Sequence, residues 1–263
     1  MLQRHILIGL CLLLCWQTTN AQPALTPPRV VMIIDDMGYS EALGQRALRL
    51  PGNVTFAFLP FTPAAVTLAT AAHAGGKEVM LHAPMTAEHR NRLGPGALVP
   101  DMGLLEFQTT TRHIIDAVPY VRGVNNHMGS ELTTLPEPMH WLMSELKQRN
   151  LYFVDSRTNP YTVAQKVAAL DGLPHLRRDV FLDHEDDPTA IRRQFALLVQ
   201  RARQQGLAVG IGHPRLNTLV ALEQLLPTLD AEGIRLVFAS TAAQRGYGPL
   251  LTQLTHDAFP TSQ

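Results

Sequence analysis

The chain is poor in cysteine, in net charge and in long apolar runs. Its two cysteines among 263 residues, Cys11 and Cys15, both lie in an apolar N-terminal stretch. The rest of the chain has none, so no disulfide framework is available and the core must hold the fold by itself. Lysine plus arginine balance aspartate plus glutamate at 22 each. That excludes a basic field for nucleic acid and a polybasic patch for a membrane surface, and it points to a neutral or weakly charged partner. No Gly-x-Gly-x-x-Gly turn follows the first strand-like segment, which argues against a dinucleotide site. The apolar run from Ile6 to Trp16 is too short for a comfortable membrane span. Arg4 and His5 precede it, and Thr19-Asn20-Ala21 follows with small residues at cleavage positions. Residues 1–21 read as a secretory signal peptide, cut after Ala21, with an uncleaved anchor as the rival reading. The expected location is the periplasm, with no stable membrane span after cleavage. Residues 22–29 hold Pro23, Pro27 and Pro28 and form a short linker. Residues 30–263 remain, a length that suits one α/β barrel domain.

What the chain does have is a regular alternation of buried strands and helices. Val30-Val31-Met32-Ile33-Ile34 is a strand apolar on both faces, and Asp35-Asp36-Met37-Gly38 ends it. Further strands are expected at 54–59, 78–82, 122–127, 151–155, 180–182, 207–212 and 234–239. Helices are expected at 41–50, 64–74, 107–118, 136–149, 162–170, 188–205 and 216–231. A long loop is expected over 83–103, a length that points to function or disorder. Seven or eight such units imply parallel strands with helical crossovers, closed or nearly closed into a deformed (β/α) barrel.

Polar residues recur at the C-terminal tips of the expected strands: Asp35 and Asp36, His82, Asn125-Asn126-His127, Asp155 and His213. In a parallel barrel all these tips open on one mouth. Two adjacent carboxylates at a buried strand end are costly without a cation or hydrogen-bond donors nearby. Carboxylate oxygen and imidazole nitrogen together suit zinc or a similar divalent ion. Asp36, His82 and His127 are the candidate metal ligands. Asp35 is the candidate general base and His213 the candidate general acid, with Asp155 either fixing its tautomer or backing a metal histidine. Arg157 is a candidate anion or carboxylate clamp, and Asn126 a candidate substrate or supporting contact. Each has a plainer alternative: a capping aspartate, a loop histidine bonded to backbone, a surface ion pair. Asp183 to Asp187 reads as a solvated turn and N-cap ahead of Pro188, with His184 near the mouth as a lesser alternative.

Five segments together resemble the divergent polysaccharide deacetylase family: Ile34-Asp35-Asp36-Met37-Gly38, Leu81-His82-Ala83-Pro84-Met85, Asn125-Asn126-His127-Met128-Gly129-Ser130, Asp155-Ser156-Arg157-Thr158 and Gly212-His213-Pro214. They occur in order and span most of the chain. The resemblance implies a deformed carbohydrate-esterase barrel, Asp35 as base, Asp36 as metal ligand and His213 as acid. It also implies an acetylated glycan as substrate. Three departures accompany it. The usual pair of metal histidines four residues apart is replaced by His82 alone, with His127 inferred from another strand. The usual arginine-proline and aspartate-tryptophan motifs are not recognisable. The expectation is an exported metal-dependent deacetylase of N-acetylated amino sugars; the alternative is an inactive relative that keeps the barrel to bind a glycan or a protein.

Overall fold

The computed structural model describes residues 26–88 and 93–245. The signal-peptide reading and the first half of the linker, residues 22–25, lie outside these residues. The sheet begins with β1 (Arg29–Met37), β2 (Val54–Phe58), β3 (Glu78–Met85) and β4 (Val121–Met128). It continues with β5 (Tyr152–Asp155), β6 (His175–Arg177), β7 (Val180–Phe181), β8 (Leu207–Gly212) and β9 (Arg235–Leu236). All ladders are parallel, in the spatial order β6-β5-β4-β3-β2-β1-β8-β7, with β9 attached to the start of β1. Among the described residues no ladder joins β6 to β7. The two residues between them close the ring instead. Arg178 N–H donates to Asp155 O on β5, and Asp179 N–H donates to Val209 O on β8, both at 2.8 Å. The expected parallel barrel is present, deformed at this seam.

Strand alternation sorts the apolar residues into two cores. Val30, Met32, Ile34, Phe56, Leu81 and Phe153 face outward and pack beneath the helices. Val31, Ile33, Ala57, Met80, Tyr152, Val154, Val209 and Ile211 face inward and fill the barrel. The helices on the outer layer are α1 (Glu41–Leu48), α2 (Ala65–Ala74), α3 (Leu104–Asp116) and α4 (Pro136–Gln148). They continue with α5 (Ala164–Leu170), α6 (Pro188–Gln205), α7 (Leu216–Leu225) and α8 (Thr228–Ala231). The longest, α6, carries the signals read from its sequence. Asp187 caps it through a 2.8 Å bond from Ala190 N–H, Pro188 occupies the first turn, and Gly206 ends it at φ 77°.

The structure adds β6, where no strand was expected, and corrects the outline in three further places. The expected helix 216–231 is two helices, broken at Leu226-Pro227. The expected last strand over 234–239 is the two-residue β9, and α9 (Ala239–Arg245) begins where it was to end. Ala239, Ala242 and Ala243 of α9 join the inner core, because only a helix with a small-residue face fits so close to the inner strand residues. Beside it Glu78 accepts bonds from Thr55 Oγ1 and Tyr152 Oη, both at 2.9 Å, and from Ser240 N–H at 3.1 Å. Finally, β3 runs past His82 to Met85, so the loop after it is shorter than expected. Leu98 folds back to pair with the strand end, its N–H on Pro84 O at 2.8 Å.

Candidate metal centre

The site starts from an irregularity in β1. Val31, Ile33 and Asp35 point into the barrel; Val30, Met32 and Ile34 point out. Regular alternation would send Asp36 outward, away from its neighbour. The pairing with β2 shifts register between Ile34 and Met37, and Asp36 adopts φ 55°. This bulge gives the outward position to Met37 and turns Asp36 back toward the mouth. Two consecutive aspartates thereby face one cavity. Gly38, at φ 121°, completes the turn; a Cβ there would lie 2.0 Å from Thr62 Oγ1.

The other side chains arrive by ordinary alternation. On β3, Met80 and His82 point inward. On β4, Asn125 and His127 share the inward face. On β8, Val209 and Ile211 point inward, and His213 follows two residues on. The result is a cavity of about 400 Å³ lined by Asp35, Asp36, His82, His127 and His213, among others.

Three ligand atoms converge in it. Asp36 Oδ1 lies 3.2 Å from His82 Nε2 and 3.0 Å from His127 Nδ1, and the two nitrogens are 3.2 Å apart. The edges of a zinc tetrahedron with bonds of 2.0–2.1 Å are about 3.3 Å, close to this spacing. Asp36 Oδ1 is buried and has no donor in hydrogen-bonding geometry. An orphaned carboxylate oxygen between two imidazole nitrogens fits a cation better than it fits any hydrogen-bond scheme. The residues present therefore fit a divalent ion, and Asp36, His82 and His127 would hold it.

The surrounding groups fix this arrangement. His82, only 2% exposed, donates from Nδ1 to Asn125 Oδ1 at 2.8 Å, so Nε2 is the nitrogen turned toward Asp36 and the one a cation would take in place of a proton. The same Asn125 amide donates from Nδ2 to Asp35 Oδ1 at 2.8 Å. One side chain thus sets the histidine tautomer and orients the spare carboxylate. Asp35 is 3% exposed. Burial raises its pKa above the usual carboxylate value; His82, His213 and Asn125 oppose that rise. Burial works against a proton on His82, yet Asp35 and Asp36 outweigh it and push the imidazole up to about 9 in the metal-free protein. Burial also opposes charge on Asp36, but the two imidazoles prevail and hold its carboxyl far below the usual range.

His213 has a different partner from the one expected. Its Nδ1 donates to Asp183 Oδ1 at 2.9 Å, and its backbone N–H donates to Asp183 Oδ2 at 2.7 Å. Thr218 Oγ1 donates to the same Oδ2 at 2.8 Å. Asp183, read as part of a solvated turn, is fully buried. Burial disfavours charge on both residues, but each sustains the other: Asp183 is lowered and His213 raised. His213 Nε2 is left facing the cavity, 3.7 Å from Asp36 Oδ2.

Asp155 does not reach His213, and strand parity gives the reason. On β5, Tyr152 and Val154 point inward, so Asp155 points outward. Its carboxylate accepts from Arg157 N–H at 2.8 Å, from Thr162 Oγ1 at 3.0 Å and from Gln165 N–H at 3.4 Å. It is a brace for the loop ahead of α5. Asn126 also braces a loop: its Oδ1 accepts from Ser156 N–H at 2.8 Å, and its Nδ2 donates to Met128 O at 2.7 Å. Arg157 does lie at the mouth, and so does His184. Sequence reasoning gave no role at the site to three residues: Asn125, named only among the polar strand tips, Asp183, read as part of a solvated turn, and Arg178. For Asn125 the signal was present, because it shares the inward face of β4 with His127. Arg178 and Asp183 flank β7, whose two residues are too few to show a period.

The comparisons with known proteins bear on the family and on the barrel. Residues 32–243 match the model of the divergent polysaccharide deacetylases. The chain belongs to that family. It is similar to the uncharacterized protein YibQ of Escherichia coli strain K12, 37% identical over 213 residues, which is 81% of this chain and 66% of that one. An uncharacterized protein of Haemophilus influenzae is 33% identical over 80% of this chain and 74% of its own. Among solved structures, the uncharacterized protein ATU2773 from Agrobacterium tumefaciens C58 superposes with a TM-score of 0.79 at 22% identity. That match covers 84% of this chain and 91% of that one. A structure described as T48 deacetylase with substrate gives 0.54 at 15% identity, covering 87% and 98%. At these identities the two structures establish the shared deacetylase-type barrel.

Proposed function

We propose that this family member is a metal-dependent hydrolase that removes acetyl groups from N-acetylated amino sugars of a glycan. The observation that supports it most is the division of labour at β1. Asp36 completes a ligand triad with His82 and His127, while the adjacent Asp35 is tied to Asn125 and stays beside the triad. A divalent ion bound there, zinc by the chemistry of its donors, supplies a Lewis acid for the amide carbonyl and lowers the pKa of water. Asp35 accepts the proton of the attacking water. The 2.8 Å bond from Asn125 Nδ2 holds its carboxylate in place for that role. His213, kept protonated by Asp183, donates from Nε2 to the amine nitrogen as the carbon–nitrogen bond breaks. Acetate and the free amine are the products. The apparent second-histidine deficit of the β3 motif is supplied by His127, one strand away. Among the described residues no helix is long and apolar enough to cross a membrane. With the export signal read at residues 1–21, the proposed site of action is the periplasm.

The test is acetate release from N-acetylated oligosaccharides by the zinc-loaded protein, beside Asp35→Asn. Release that the substitution reduces by about 10²–10⁴-fold supports catalysis, the range a positioned base contributes. Glycan binding without release by either protein would favour the binding-only alternative.

A further inference from the structure

One wall of the mouth carries positive charge that the chemistry above does not use. Arg157 and Arg178 both line the cavity that holds Asp35 and the ligand triad. They are adjacent: Arg178 Nη2 donates to the carbonyl oxygen of Arg157 at 2.8 Å. Arg178 Nε donates to Ser156 O at 2.6 Å, and its guanidinium lies over the Phe181 ring, 5.1 Å from the centroid. These contacts fix the plane of Arg178 without neutralising it. Its charge is unfavourable there: burial lowers its pKa and Arg157 adds to the effect, while Asp35, Asp155 and Asp179 act in the other direction. None of those carboxylates is within ion-pair distance of Arg178. Arg157 is exposed, and among the described residues its side chain makes no ion pair or hydrogen bond. Its backbone sits at φ 50°, a conformation L residues seldom adopt, and Asp155 holds it there through the Arg157 N–H. Two neighbouring guanidiniums, one braced in plane and one held in an uncommon backbone conformation, are arranged to share an anion.

The anion must be tolerated near Asp35 and Asp36. A singly charged, planar carboxylate meets that condition better than a phosphate dianion, and it matches the guanidinium fork. We propose that Arg157 and Arg178 form a carboxylate subsite at the edge of the metal pocket, so that the glycan taken by this site carries an acidic group on or beside its acetamido sugar. The proposal rests on the glycan reading of the same mouth.

The experiment is calorimetric binding of three disaccharides to the zinc-loaded full chain. Neutral diacetylchitobiose is the reference; a disaccharide of glucuronate and N-acetylglucosamine and a disaccharide bearing a lactyl ether carboxylate are the acidic probes. At low salt at least one acidic probe is expected to bind about tenfold or more tightly than chitobiose, as a charged hydrogen bond allows. Arg157→Gln, which breaks no side-chain hydrogen bond or ion pair among the described residues, is expected to bring the ratio of acidic-probe to chitobiose affinity to about one, while Arg157→Lys keeps part of the preference. Which acidic probe wins identifies the source of the carboxylate. Equal binding of all three probes, or a preference that survives Arg157→Gln, overturns the subsite but not the glycan reading. Failure of all three to bind overturns both.

Discussion

Asn125 carries more of the site than its position beside two more conspicuous polar residues suggests. Its two amide ends hold His82 in one tautomer and Asp35 in one orientation. Asn125→Ala should therefore lower zinc affinity by about 10–100-fold in competition with a chelator, while leaving the circular dichroism spectrum of the folded protein unchanged. Asp183 plays the matching part for His213. Asp183→Asn removes the anion that raises the imidazole pKa, so the alkaline limb of the kcat profile for acetate release should move to lower pH. An unmoved limb would show that His213 is not the proton donor. The residue types of the site were legible in the sequence, since Asp35, Asp36, His82, His127 and His213 all gather at one mouth. The supporting partners were not. Asp155 ends a strand as the others do, yet one step of alternation turns it outward. Asp183 sits in an acidic run that resembles a solvated turn, and only its burial shows otherwise.

At the scale of the element, the bulge in β1 lets one strand supply both a ligand and a base. It depends on Gly38, whose backbone conformation and close approach to Thr62 leave no room for a side chain. Gly38→Ala should destabilise the protein by about 1–3 kcal/mol in urea melts and also weaken zinc binding, because relief of the clash would shift Asp36. A loss of stability with zinc affinity intact would separate the turn from the site. Gly123 has a packing role on β4: an added Cβ would lie 2.4 Å from the Tyr152 ring, inside the barrel. The strands and helices with strong periodicity stand where the sequence placed them. Two of the corrections fall at the end of the chain, where Ile234 to Ala239 is apolar enough for a strand. There the filled barrel leaves α9, with its alanines, as the element that covers the inner core.

For the whole molecule, metal and fold are linked through protons. In the metal-free protein His82 has a folded-state pKa of about 9, against an ordinary value near 6.5. A raised pKa contributes stability that is fully present below the unfolded value and is lost as pH rises through the folded one. The melting temperature of the metal-free protein should therefore fall between pH 6.5 and 9. With zinc bound the proton is displaced, and binding should strengthen as pH rises over the same interval. Parallel slopes with and without zinc would contradict the linkage. The barrel itself was legible from alternation and length. Its seam was not: the three residues of β6 are too few to read, the strand expected at 180–182 gave no sign of its partners, and closure rests on backbone bonds from Arg178 and Asp179.

The most direct test is the anomalous difference map of a crystal soaked in zinc. One peak within coordinating distance of Asp36, His82 and His127, with the Asp35 carboxylate left unliganded and still bonded to Asn125, is the predicted result. A peak that recruits Asp35 in place of either histidine, or no peak in this cavity, would contradict the account.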